Sequence, residues 1–305
     1  MTELAGSRGV RVLAQAKVNL RLKILAREAS GFHQLETLFL RIALADVVRI
    51  RRTTGANTLD VSGADAALIG PVERNLAWRA ALAYAAAANW DGGFTIEIEK
   101  HIPIGGGLGG GSADAAAVLR GMNALAPRPL GAAQLLGIAA GLGSDVPFLS
   151  SEAPYALAWG RGERLLPLPP LPERSMTLVV PPFGVNTADA YRWLSESRPS
   201  DFVPGSSALV LRELSSWDTV GGYAENDFEP VVLERFPALA RMREALRTLD
   251  GPGIGMMSGS GSTLFSVAHG LAEGGQQPET ALAALGGQVV TTRTSERVEP
   301  PSAIE

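Results

Sequence analysis

The sequence predicts an α+β fold built from two units, and three observations carry that prediction. Short stretches with an apolar residue at every second position mark half-buried strands. Alanine- and leucine-rich stretches of 11–15 residues between them have helical spacing. A proline-rich break over 165–175, LLPLPPLPERS, has no periodicity and reads as a linker or long loop. The resulting units are 1–165 and 166–293, followed by a loose tail, 294–305. With 305 residues, 46% of them hydrophobic, the chain is long enough for two ordinary cores.

Along the chain, Val18, Leu20, Leu22 and Ile24 alternate with Lys17, Asn19, Arg21 and Lys23, which predicts a strand with one polar face. Residues 35–52 read as two further strands, LETLFLRI and DVVRIRR. Residues 75–89 read as a helix, and 94–100, FTIEIEK, as a strand. A glycine-rich turn follows, then a helix starting near Ser112, a plausible N-cap with Asp114 in its first turn. A helix over 130–141 leads into LGSDVPFL (142–149). The second unit reads as a strand (176–182), a helix (237–250), a strand (262–268), a helix (278–285) opened by a proline, and a strand (288–293).

Composition narrows the function. Lys and Arg total 27 against 31 Asp and Glu, a net charge of −4 with no long basic run, so the chain is a poor candidate for nucleic acid. It has no cysteine, hence no disulfide or thiolate site, and only His33, His101 and His269. No dedicated protein metal site is expected. No apolar run reaches the roughly 18 residues of a membrane span, and the first residues hold no apolar signal core, which points to a cytoplasmic protein. Nothing in the chain implies an obligate protein partner.

The informative segment is Pro103-Ile104 followed by six glycines in the seven positions 105–111 (Gly105, Gly106, Gly107, Leu108, Gly109, Gly110, Gly111), then Ser112 and Ala113. Glycine permits positive φ and lets another group approach the backbone. A helix N-terminus offers unpaired N–H groups and the positive end of the helix dipole. Together they make a phosphate site. The string also fits a dinucleotide fingerprint, but no acidic residue lies between Asp114 and Asp145 to hold a ribose, and no Gly-Lys-Ser/Thr follows for a Walker A loop.

These residues resemble the PxGxGLGSSxxA loop of the galactokinase, homoserine kinase, mevalonate kinase and phosphomevalonate kinase (GHMP) superfamily. AKVNL (16–20) and MSGSGS (257–262) match two further motifs of that superfamily in chain order. With GFHQLETLF (31–39) and LGSDVPFL added, the chain resembles the branch that phosphorylates a cytidine diphosphate-linked alcohol. The resemblance implies a GHMP-kinase fold, with a ribosomal S5 domain 2-like N-terminal domain and a ferredoxin-like C-terminal domain. It implies ATP as co-substrate, with Mg²⁺ arriving on its phosphates, and transfer of the γ-phosphoryl group to the 2-hydroxyl of a diphosphocytidyl methylerythritol, for the non-mevalonate route to isoprenoid precursors.

The resemblance also implies roles. Asp145 matches the catalytic acid-base position and Lys17 the active-site lysine. Asn19, Phe32, His33, Thr187 and Tyr191 match substrate contacts, Phe32 stacking on the cytosine where tyrosine is common. Asn75 and Lys100 match positions near adenine, and residues 103–113 cradle the phosphates. Ala113 stands where a serine is common, and Ser144 where alanine is. Asp114 either favours the helix dipole or reaches Mg²⁺. Lys100 can also be read as an ordinary strand-end lysine. A relative acting on mevalonate or homoserine is the alternative, in which GFH has no base to stack.

Overall fold

A computed structural model describes residues 8–28, 33–63, 70–199, 202, 209–250, 253–268 and 282–305. The first half contains β1 (Gly9–Arg27), β2 (His33–Thr53), β3 (Thr58–Gly63), α1 (Leu76–Ala88), β4 (Gly93–Lys100), α2 (Gly110–Leu125), α3 (Ala132–Leu142), α4 (Val146–Ser150), β5 (Tyr155–Gly160) and β6 (Arg164–Pro167). The second contains β7 (Ser175–Val180), α5 (Thr187–Ser197), α6 (Trp217–Val220), β8 (Glu225–Asn226), α7 (Glu229–Arg235), α8 (Pro237–Asp250), β9 (Ile254–Met257), β10 (Leu264–Val267), β11 (Gln288–Arg293) and β12 (Ser302–Ile304).

Two sheets organise these elements. The larger runs β12-β1-β2-β4-β3, with β5 on the other part of β2, β6 on β5, and β8 parallel to β1. Its spine is the long antiparallel hairpin of β1 and β2, whose register slips between Gln15 and Lys17, Asn19 and Arg21, and Ile24 and Arg27. Such slips turn a strand locally and re-aim its side chains. The two strands expected over 35–52 are therefore one continuous strand. Ala45 and Asp46 pair with Gln15 and Ala14 and do not form a turn. Helix α2 packs on β1 and β2 with α1 and α4 beside it. Gly121 permits that approach, since a Cβ there would lie 2.6 Å from Ile50 Cδ1.

The smaller sheet is antiparallel in the order β11-β7-β10-β9. Taken in chain order its four strands lie 4-1-3-2, the arrangement expected of a ferredoxin-like unit. Met176, Leu178, Phe265 and Val267 on one face join the core of the larger sheet. Val179, Leu264 and Met257 on the other pack with Leu239, Met242 and Leu246 of α8.

Of the two readings of the proline-rich break, residues 168–174 form the long loop, and Leu168 and Leu171 anchor it in the main core. One expectation is corrected. The tail is not loose: β12 pairs with β1, Thr294 bridges Ile42, and Arg120 donates to the Glu299 carbonyl. The helix expected over 278–285 falls partly outside the described residues, and 282–284 are helical.

Candidate active site

Strand β1 is the first support of the site. Its expected polar face does not meet solvent: Lys17, Asn19 and Arg21 are each no more than 3% exposed. Lys17 Nζ donates to Asn19 Oδ1 at 2.8 Å and to the Gly107 carbonyl at 3.1 Å, and lies 3.3 Å from Asp145 Oδ2. Its ammonium also sits 5.6 Å from the centre of the Phe39 ring. These contacts hold the long side chain in one direction, toward the glycine turn. Asn19 in turn donates to Thr37 Oγ1 at 2.8 Å. Both ends of its amide are engaged within the protein, so it orients Lys17 as well as lining the cleft.

The glycine turn is the second support. Gly105, Gly107 and Gly109 have φ of 74°, 79° and 74°, values open to glycine but strained for other residues. A Cβ on Gly107 would lie 2.2 Å from the Ser258 carbonyl oxygen. The turn is thus pressed against the 257–262 segment, to which it is also hydrogen bonded. Ser258 Oγ donates to the Gly107 carbonyl at 3.0 Å, and Thr263 N donates to the Gly106 carbonyl at 3.1 Å. Helix α2 starts with Gly109 as its N-cap, so Ser112 is the third helical residue and not the cap. Its N-terminal amides and Ser112 face the turn's end, where an anion is favoured.

Asp145 is the third element. It occupies the N-cap position of α4 but makes no side-chain cap bond, which leaves its carboxylate, 28% exposed, for Lys17 and the cleft.

The segments from the second half close the cleft. Thr187 and Tyr191 lie one turn apart on α5, on the same face. Thr187 Oγ1 is 2.9 Å from Ser260 Oγ. Burial, and then the charge of Asp145, push the Tyr191 phenol up to about 12. Tyr191 stacks on His33 with ring centres 4.6 Å apart and 20° between planes, and meets Phe228 edge-on. A base cannot lie between His33 and Tyr191 at that spacing. Phe32 lies outside the described residues.

Asn75 and Lys100 stand elsewhere around the turn. Asn75 caps α1, its Oδ1 accepting from Ala77 N at 2.8 Å. Lys100 is buried beneath the start of α2, paired with Asp46 and, at 2.6 Å, with Asp114. Asp46 Oδ1 also accepts from Ile102 N at 2.8 Å. Burial opposes the Lys100 charge, but the two carboxylates outweigh it and its pKa is raised. Asp114 is thus neither at the cap nor exposed. Its Oδ1 is buried without a hydrogen-bond partner, and burial, only partly offset by Lys100, pushes the carboxyl up to about 7.

That shift has a measurable consequence. Asp114 holds its proton more tightly folded than unfolded, so its contribution favours folding at low pH and is lost as pH rises through about 7. Asp114→Asn should therefore gain stability relative to the parent by about 1 kcal/mol between pH 6 and pH 8. Denaturant titrations of both proteins at the two pH values measure this. An unchanged difference would show that Asp114 is ionised throughout.

Sequence reasoning missed Asn226, whose amide donates to both the Met257 and Gly259 carbonyls at 2.8 Å and thereby fixes the segment behind the glycine turn. Among the described residues no group of three or more His, Asp or Glu is arranged to hold a metal ion, and no helix is long and apolar enough to cross a membrane.

Comparison with known proteins agrees with this geometry. Residues 75–152 match the GHMP kinases N-terminal domain. The chain is 38% identical to 4-diphosphocytidyl-2-C-methyl-D-erythritol kinase of Citrifermentans bemidjiense over 85% of this chain and 89% of that one. To the same-named protein of Pelotomaculum thermopropionicum it is 36% identical over 93% and 98%. A crystal structure of 4-(cytidine 5'-diphospho)-2C-methyl-D-erythritol kinase superposes with a TM-score of 0.73 at 36% identity, covering 93% of this chain and 98% of the other. Homoserine kinase from Cytophaga hutchinsonii, at 19% identity and a TM-score of 0.70, shares the fold. Identity of this extent over most of both chains shows that the chain belongs to the 4-diphosphocytidyl-2-C-methyl-D-erythritol kinase family of GHMP kinases.

Proposed function

We propose that this protein transfers the γ-phosphoryl group of ATP to the 2-hydroxyl of 4-diphosphocytidyl-2-C-methyl-D-erythritol, a step of non-mevalonate isoprenoid precursor synthesis in the cytoplasm. The observation that carries the reading is the 3.3 Å pair of Lys17 and Asp145 at the edge of a glycine turn whose carbonyl at Gly107 is also bound by Lys17.

In this reading the amides of residues 105–112 hold the triphosphate, with Pro103, Ile104 and Ala113 flanking it and Asn75 toward the adenine, while Lys100 stays under α2 with Asp46 and Asp114. Mg²⁺ would be carried by the phosphate oxygens of the nucleotide and would supply charge neutralisation there. The substrate hydroxyl lies beside Asp145. Its oxygen forms a bond to the γ-phosphorus as the bond to the bridging oxygen of ADP breaks, and its proton passes to Asp145. Lys17 offsets charge on the transferring group. The cytidine end is held by Phe32, His33 and Tyr191, with Thr187 and Asn19 as polar contacts. Either the base stacks on an aromatic face other than the one between His33 and Tyr191, or that pair opens. Residues 1–165 supply the nucleotide side of the cleft and 166–293 complete the cytidine side.

An ADP-release assay tests this directly. The cytidyl substrate should support turnover at least 100-fold faster, in kcat/KM, than mevalonate or homoserine. Comparable rates with either of those alcohols would overturn the assignment.

A further inference from the structure

Arg41 is buried to 1% exposure in the centre of β2, yet among the described residues no carboxylate lies within ion-pair distance of it. A charge without a counter-ion in a core is costly unless its donors are all used. Here those of Nε and Nη2 are spent on backbone. Nη2 donates at 2.9 Å to each of the Phe148, Leu149 and Ser151 carbonyls, and Nε donates at 3.1 Å to Ala153. Burial, and then the like charge of Arg120, push this guanidinium down to about 9, still charged at neutral pH.

The gripped carbonyls belong to the C-terminal end of α4 and the residues just after it. A cation at that end is matched to the helix dipole. Helix α4 has five residues, too few to hold its own direction. Asp145 stands at its other end. The same strand β2 contributes Phe39, whose ring stacks on Phe148 of α4 at 4.9 Å and lies under the Lys17 ammonium. In the β1–β2 register Lys17 is the cross-strand partner of Arg41. One strand pair therefore presents the lysine and fastens the short helix that presents the aspartate.

We propose that Arg41 is a positioning residue for phosphoryl transfer, setting the place of Asp145 relative to Lys17 by binding the carbonyls at the far end of α4. The proposal rests on the reading of Asp145 as proton acceptor.

The test is a double-mutant cycle. Arg41→Lys keeps a buried cation but can satisfy fewer of the four carbonyls, and Arg41→Met removes the charge. Each is made alone and with Asp145→Asn, with the folded fraction fixed by the stoichiometry of CDP binding. Arg41→Lys, and Arg41→Met if it folds, should lower kcat at least tenfold with dissociation constants for ATP and CDP within about twofold of the parent. In the Asp145→Asn background the same change should cost less than twofold, because the group it positions is already disabled. A slow Asp145→Asn protein in which the Arg41→Lys loss persists undiminished overturns this proposal alone. So does parental kcat in a folded Arg41→Lys protein. Parental kcat for Asp145→Asn by itself overturns the role of Asp145 and this proposal with it.

Discussion

Asp145→Asn is expected to lower kcat by about 10²- to 10⁴-fold, the range for loss of a positioned proton acceptor, which is about 3–5 kcal/mol in activation free energy. The amide has the same shape and keeps a carbonyl oxygen near Lys17 Nζ, 3.3 Å from the present carboxylate oxygen. It cannot take the hydroxyl proton. The Asp145 side chain makes no cap bond and α4 is fastened from its other end, while the buried Lys17 ammonium loses its counter-ion but keeps its bonds to Asn19 and the Gly107 carbonyl. The affinities for ATP and CDP should therefore stay within a few-fold of the parent, and the loss should fall on kcat and kcat/KM alike. Steady-state ADP release together with calorimetric binding of CDP separates the two quantities. Turnover close to the parent would remove Asp145 from proton transfer and leave it as a partner that orients Lys17.

How much of this was legible in the sequence depends on the distance over which each residue acts. The glycine turn and LGSDVPFL are local strings whose composition has few structural reasons to exist, so both could be read directly. The alternation at 17–24 placed Lys17 and Asn19 on one face, but not the burial of that face, because the covering elements arrive from far along the chain. Arg41 and Asp46 were illegible for the same reason. Arg41 answers carbonyls 107–112 residues away, and Asp46 answers backbone and side chains 54–56 residues away. Within β2 the sequence suggested two strands, LETLFLRI and DVVRIRR, yet the buried Asp46 finds Lys100 and one strand runs through. Lys100 was read by its place in a motif, toward adenine. Its two carboxylate partners, Asp46 of β2 and Asp114 of α2, become visible only when those elements meet around it. The tail failed through composition: TSERVEPPSAIE has few apolar residues, and its order comes from backbone pairing with β1, which hydropathy does not record.

Gly107→Val should abolish measurable ATP binding, raising the dissociation constant at least 100-fold. The cause lies in the protein's own backbone. The new Cβ would fall 2.2 Å from the Ser258 carbonyl oxygen and 3.2 Å from that of Gly261, so the obstacle is backbone and cannot rotate away. The position also has φ of +79°, which a β-branched residue adopts only at a cost of about 1–3 kcal/mol. The turn must then lift from the 257–262 segment. Doing so breaks the bonds from Ser258 Oγ and Lys17 Nζ to the Gly107 carbonyl and turns the loop amides away from a common point. Gly105→Ala provides the contrast. Its φ is +74°, but a Cβ there meets nothing within 4 Å, so only the backbone cost remains and the ATP affinity should fall by about tenfold or less. Because the proposed function gives Gly107 no part in holding the cytidine, CDP binding should survive in both variants, and its retention certifies the fold. Equal ATP affinity for Gly107→Val and the parent would mean that the turn only connects β4 to α2, and that the triphosphate lies against some other surface.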